Sequence, residues 1–268
     1  MNKYLQFIGI LVFQFMSLAS SAQQNQEIKR YNAPDARQAV AADKEHIYVI
    51  NNHKIVKRLK SDGSIVKIWE DERLHHMNSG IIFEGKLYCA HSNYPNIPMS
   101  SSIEIFDTET LEHIGSHSFG IAYGSATWID QKDGEWYVMF AHYDKDSNRQ
   151  TNRDVCWTQF VKFDQDWKRK GGWVLPKELS EKTTPYSISG GVFAENGKLI
   201  TTHHHFKELY ILSFPEMSSE MKWEKTIESP IRGQGIAFDT HEKNILWGID
   251  KTSKEVIKTK FIWDENLN

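Results

Sequence analysis

Asn78-Ser79-Gly80-Ile81-Ile82-Phe83, then Glu84-Gly85, then Lys86-Leu87-Tyr88-Cys89-Ala90-His91 is the stretch that decides the fold. Two apolar runs joined by a short glycine-bearing turn read as a β-hairpin. Its first strand opens on small residues, and its second ends on a histidine.

The same pattern recurs outward in both directions. Upstream, Arg37–Ala42 meets His46–Ile50 across the turn Asp43-Lys44-Glu45. Downstream, Gly124–Ile129 and Trp136–Phe140 flank Lys132-Asp133-Gly134, and Ser189–Phe193 and Lys198–Thr201 flank Glu195-Asn196-Gly197. A last copy runs Gly233–Phe238 and Asn244–Ile249. Five copies at this spacing predict an all-β fold, a five-bladed β-propeller. Small residues at the start of each first strand fit the crowded axis on which innermost strands converge. Ser102–Asp107 and Glu208–Leu212 alternate as outer, half-buried strands do. The final repeat lacks a fourth strand after Val256–Phe261, and Glu27–Tyr31 is expected to supply it and close the ring. Closure removes a sheet edge that would otherwise invite aggregation.

Composition bounds the rest. A chain of 268 residues, 40% hydrophobic, can build a full core, and a net charge of -3 argues against a nucleic-acid partner. Lys3, the apolar run Phe7–Phe15 and Ser20-Ser21-Ala22 read as a leader over residues 1–22. Residues 23–268 are then one propeller domain, exported to the periplasm or secreted, with no membrane anchor and expected as a monomer. No cysteine follows the apolar run to accept a lipid. Cys89 and Cys156 either pair in that oxidising setting or remain as two buried thiols.

In an antiparallel pair the start of the first strand and the end of the second lie at one edge. His91, His142 and His203 therefore gather on one face of the ring, with Asn93, Tyr94 and His205 beside them. Arg37, Gln38, His76, Asn78 and Gln234 reach the same face from the first-strand starts. Such a polar concavity suits a sugar or another small polar ligand. A glycosidase would need two carboxylates flanking the bond, and only Asp144 and Asp250 are candidates. An imidazole and phenol set suits proton abstraction beside a carboxylate followed by loss of a leaving group. On that reading His91, His142 and Tyr94 are the catalytic residues. Arg37, Gln38 and Asn93 hold the substrate carboxylate, and His76, Asn78, His203, His205 and Gln234 contact the substrate. No cofactor or metal is expected, although His203 and His205 at alternate strand positions, with His76 or His142, carry the donor types of a zinc site.

Each residue also has a structural reading. His91 and His142 can bridge blades, Arg37 can serve a buried ion pair, and Tyr94-Pro95 can be a turn. Trp128, Trp136, Trp157, Trp173 and Trp223 are expected in the core or between blades. The polar stretch Asp144–Asp154 is expected as a loop over the pocket face.

Arg37-Gln38, His76-Met77-Asn78-Ser79-Gly80, Ala90-His91-Ser92-Asn93-Tyr94-Pro95, Ala141-His142-Tyr143 and Gly233-Gln234-Gly235 also carry a resemblance. Together they resemble the small exported propeller proteins of marine Bacteroidetes polysaccharide-degradation clusters, among them the ulvan oligosaccharide dehydratases. The resemblance implies a carbon-oxygen lyase that removes water from the non-reducing-end uronic acid of an anionic oligosaccharide, leaving an unsaturated uronyl residue. Cleavage of uronic-acid glycosidic bonds, or carbohydrate binding without catalysis, are the other readings.

Overall fold

The computed structural model describes residues 24–145 and 147–263. The leader expected over residues 1–22 lies outside them.

Five four-stranded antiparallel sheets form a five-bladed β-propeller. Blade 1 is Ala39–Ala42, His46–Asn51, Lys54–Leu59 and Ile65–Glu70. Blade 2 is His76–Phe83, Lys86–Ser92, Ser101–Asp107 and His113–Gly120, and blade 3 is Ser125–Lys132, Glu135–Ala141, Gln159–Phe163 and Arg169–Val174. Blade 4 is Gly190–Phe193, Leu199–Thr202, Glu208–Ser213 and Lys222–Glu228. Blade 5 is Ala237–Phe238, Ile245–Asp250 and Glu255–Phe261, completed by Asn25–Asn32 from the other end of the chain. That closing strand pairs antiparallel with Glu255–Phe261, as Tyr31 opposite Val256 shows. The innermost strands of blades 1 and 5 are shorter than their sequence copies, because Arg37-Gln38 and Gly233–Ile236 approach the axis outside the ladder.

Alternation of side chains across each sheet builds five apolar layers, one in each gap between neighbouring blades. Tyr48, Ile50 and Ile55 of blade 1 meet Met77, Leu87 and Phe106 of blade 2. Between blades 3 and 4, Trp128 packs with Phe160, Leu199 and Tyr210. Trp128 is 1% exposed, and removing a core aromatic of that size costs about 3–5 kcal/mol. At the axis the small residues are required sterically. A Cβ on Gly235 would stand 2.6 Å from the Ala39 Cβ and 2.9 Å from the Ser79 Cβ, so the lead-in to blade 5 touches the innermost strands of blades 1 and 2 there.

Three expectations change. Trp157 is 54% exposed, outside the core, because it sits in the 3-10 turn Val155–Trp157 and not on a strand. Arg37 is exposed, so it serves no buried ion pair. Cys89 is buried, Cys156 is exposed, and both are free thiols.

Candidate functional site

A cavity of about 640 Å³ opens at the face where second strands end. Its wall takes one residue from just beyond the second strand of every blade: Asn52, Tyr94, Tyr143, His204 and Lys251. The lead-ins to the first strands add Arg37, Gln38, His75, Ser189 and Gln234, with His76 and Asn78 from the start of blade 2. Tyr186 and Ile188 complete the side beneath blade 4. The reason is geometric. Inside a regular ladder, side chains project sideways into the gaps between blades; where the ladder starts, stops or bulges, as it does at Asn78 and Thr127, the chain aims side chains at the axis.

That rule separates the expected site residues. Arg37, Gln38, His76, Asn78, Tyr94 and Gln234 line the cavity. His91 and His142, expected to be catalytic, do not. His91 is still within its strand, paired with Ser102, and its Nδ1 lies 2.9 Å from the Ser102 hydroxyl. His142 is fully buried, and its Nε2 donates to the Tyr123 carbonyl at 3.0 Å. Asn93 is occupied in its own loop, donating to the Pro98 carbonyl and accepting from the Ser100 amide.

The histidine run behaves differently from a strand. The ladder ends at Thr202, so residues 203–206 form a turn and the alternation expected to pair His203 with His205 does not apply. His203 caps that turn: its Nδ1 accepts from the His205 and Phe206 amides, and its Nε2 donates to the Lys182 carbonyl. His205 lines a neighbouring pocket with Phe206 and Arg232. His204, between them, faces the main cavity. No group of three or more His, Cys, Asp or Glu side chains with metal-holding geometry occurs among the described residues.

Lys251, Tyr186 and His75 carry no expectation from the sequence, and His204 enters there only as the middle of the metal-like tract His203-His204-His205. Lys251 had a usable signal, since it follows the last second strand as Asn52 follows the first. Asp144 and Asp250 do not line the cavity. Asp144 accepts from the Val155 amide, and Asp250 accepts from the Thr252 amide while its other oxygen faces Lys207 and Arg232.

Among the described residues the cavity wall carries two cations, Arg37 and Lys251, and no carboxylate. The rings of His76 and Tyr94 lie 4.8 Å apart between centroids, and Tyr143 meets Tyr94 edge-on at 5.3 Å. Burial, with the nearby charges of His91 and Arg37, lowers the His76 pKa to about 4. Its imidazole is neutral at physiological pH. Burial and the neighbouring Tyr186 raise that of Tyr94, which keeps its proton. Gln38 donates to Asn52 at 2.8 Å and Asn78 donates to the Ala126 carbonyl at 2.9 Å, so both amides are pre-oriented. Thr127 lines the cavity too, and its buried hydroxyl has no hydrogen-bond partner among the described residues.

Backbone conformation holds this wall. Gln234 has φ +68, in the left-handed region, and its carbonyl accepts from the Thr202 hydroxyl at 2.7 Å. Gly233 before it has φ +66, and a Cβ there would stand 2.5 Å from the carbonyl oxygens of His203 and His204. The loop after blade 3's second strand reaches the same rim, where the Lys145 ammonium lies 5.9 Å from the Tyr186 ring centroid.

No family model matches the chain, and no curated protein matches it. A chain from the crystal structure of a mitotic checkpoint complex aligns with TM-score 0.47 and 8% identity, over 98% of this chain and 100% of its own length. A protein of unknown function from Bacteroides caccae aligns with TM-score 0.44 and 10% identity, over 83% of this chain and 73% of its own. Neither likeness assigns an activity.

The site must be read from its own chemistry. Histidine, tyrosine and amide groups surround two cations there, a set complementary in charge and hydrogen bonding to a polar anion.

Proposed function

We propose that this cavity takes the non-reducing-end uronic acid of an ulvan-type anionic oligosaccharide and eliminates water from it, leaving an unsaturated uronyl residue. The protein is then an exported carbon-oxygen lyase. The observation that carries the reading is the His76–Tyr94 pair beside Arg37 and Lys251 on one cavity wall.

The hydrogen on the ring carbon next to a carboxylate is weakly acidic, so the charge that develops on removing it must be stabilised. Arg37 binds the substrate carboxylate with charge-assisted hydrogen bonds, and Gln38 and Lys251 add donors. His76 takes the ring proton. The substrate's negative charge beside it favours the imidazolium form and raises its basicity. The electron pair left on carbon passes through the enolate into a ring double bond as the neighbouring carbon-oxygen bond breaks. Tyr94 gives its phenolic proton to that oxygen, which leaves as water. The proton held by His76 then returns to the Tyr94 phenolate, restoring both groups. His91 and His142 support the blades in this scheme.

A glycosidase needs an acid and a nucleophile or base of carboxylate type, and Asp144 and Asp250, the two candidates for it, are engaged away from the cavity. The test is ultraviolet absorbance with mass spectrometry on oligosaccharides ending in a saturated uronic acid. Rising absorbance with loss of one water and no shortening supports the dehydratase. Shorter unsaturated products would make it a depolymerising lyase, and binding without turnover would make it a carbohydrate-binding propeller.

A further inference from the structure

Three residues that the elimination scheme leaves unassigned or uses only in part form a hydrogen-bonded chain ending in the cavity. The Lys251 Nζ lies 3.2 Å from the His204 Nε2, and the His204 Nδ1 lies 2.8 Å from the Ser189 hydroxyl oxygen. Tyr186 stacks on the imidazole at 4.4 Å and 15°, holding it by a face as well as by both edges. The three come from different elements: the lead-in to blade 4, the turn after its second strand, and the turn after blade 5's second strand.

Donor and acceptor inventory fixes the direction of such a chain. A charged ammonium has three donors and no acceptor, so the His204 Nε2 facing it must accept. A neutral ring that accepts at Nε2 carries its hydrogen on Nδ1, which then donates to the Ser189 oxygen. The serine O–H, excluded from that contact, turns into the cavity. We propose that the charge on Lys251 sets the direction of the Lys251–His204–Ser189 chain, so that Ser189 is an O–H donor to the cavity when Lys251 is protonated and an acceptor when it is not. With a neutral amine the His204 Nε2 donates to Lys251, Nδ1 accepts from Ser189, and only the serine lone pairs face the ligand. That a ligand oxyanion receives this hydrogen rests on the anion-site reading above; the direction of the chain does not.

The surroundings keep His204 out of the titration. It faces Lys251, His205, His203 and His76, and burial and Lys251 hold its pKa down to about 2. Lys251 faces Arg37, and burial with that charge lowers its pKa to about 8. The nearest carboxylate in sequence, Asp250, is turned to Lys207 and Arg232. A histidine buttressed by a cation is a poor base, so this triplet is not a nucleophile-activating Ser-His pair.

Nitrogen-15 NMR of the imidazoles reads the chain without any ligand, with His204 assigned by the signal lost in His204→Asn. At about pH 6 the expected state is the neutral Nδ1–H tautomer, converting to Nε2–H above about pH 8 as Lys251 loses its proton. Lys251→Arg, which keeps its charge, should hold Nδ1–H at about pH 9, and Lys251→Met should remove the switch. An Nε2–H ring at about pH 6, or protonation of His204 near its ordinary pKa of about 6.5, would overturn the proposal. Glucuronate titration supplies the second reading: Ser189→Ala should weaken binding about tenfold at about pH 6 and little at about pH 9. An intact tautomer switch with no glucuronate binding would overturn the anion-site reading and leave the chain standing. Equal loss at both pH values would overturn the donor role of Ser189.

Discussion

The rings of His76 and Tyr94 stand 4.8 Å apart and tilted by 33° at the cavity wall, one from the start of blade 2's first strand and one from just beyond the end of its second. Seventeen residues of intervening hairpin bring a neutral imidazole and a protonated phenol to one place. The two have opposite protonation preferences, as an acid and base pair requires.

His76→Gln and Tyr94→Phe are each expected to lower kcat by about 10²–10⁴-fold with KM little changed, the range for loss of a positioned acid or base. Steady-state ultraviolet assays on saturated uronyl oligosaccharides check this. A loss below about threefold in either variant would remove that residue from the proton transfers.

The rate should fall on both sides of neutrality. On the acid side it falls as His76 gains a proton near pH 4, because the imidazolium has no lone pair for the ring hydrogen. On the alkaline side it falls as Lys251 loses its proton near pH 8, weakening hold on the carboxylate. Lys251→Arg should move the alkaline limb upward and leave the acid limb in place. A pH–kcat/KM profile of the two proteins checks it, and an alkaline limb unmoved in the variant would exclude Lys251 as its origin.

His142→Gln should leave kcat per folded molecule within about threefold while lowering Tm, since its Nε2 hydrogen bond to the Tyr123 carbonyl is buried and a lost buried bond costs about 1–3 kcal/mol. Circular-dichroism melting beside the ultraviolet assay separates the two effects. A thousandfold fall in kcat with unchanged Tm would return His142 to the chemistry.

Asp130 ties blade 3 to blade 4 through the Phe193 amide, 2.8 Å from its Oδ2, and also accepts from the Gln131 amide. Burial raises its pKa from 3.8 to about 7, against those two amides. The folded state therefore holds a proton that the unfolded state has released, and this group's contribution to stability is full below about pH 4 and lost as pH rises through about 7. Comparing Tm of the wild type with Asp130→Asn across that window isolates it. The wild type should lose ground to the variant as pH rises; a constant difference would contradict the shift.

Hairpin periodicity and small-residue strand starts made the five blades and the closing strand legible, because each reflects a local rule: side chains alternate, turns need glycine, and the axis admits only small groups. Part of the cavity wall was legible for the same reason, since Arg37, Gln38, His76, Asn78, Tyr94 and Gln234 sit where strands begin and end. Sequence could not say whether a given strand-end residue still lay inside its ladder. His91 does, and its ring bonds to Ser102 of the neighbouring strand; Tyr94, three residues on, does not, and it lines the cavity. In blade 4 a single step along the chain exchanges His203 and His205 for His204 at the cavity wall. Lys251 beside His204 joins residues 47 positions apart, a proximity set by closing the ring. Order along the chain determined the blades. Which side chains share the cavity was decided by where each ladder of backbone hydrogen bonds stops.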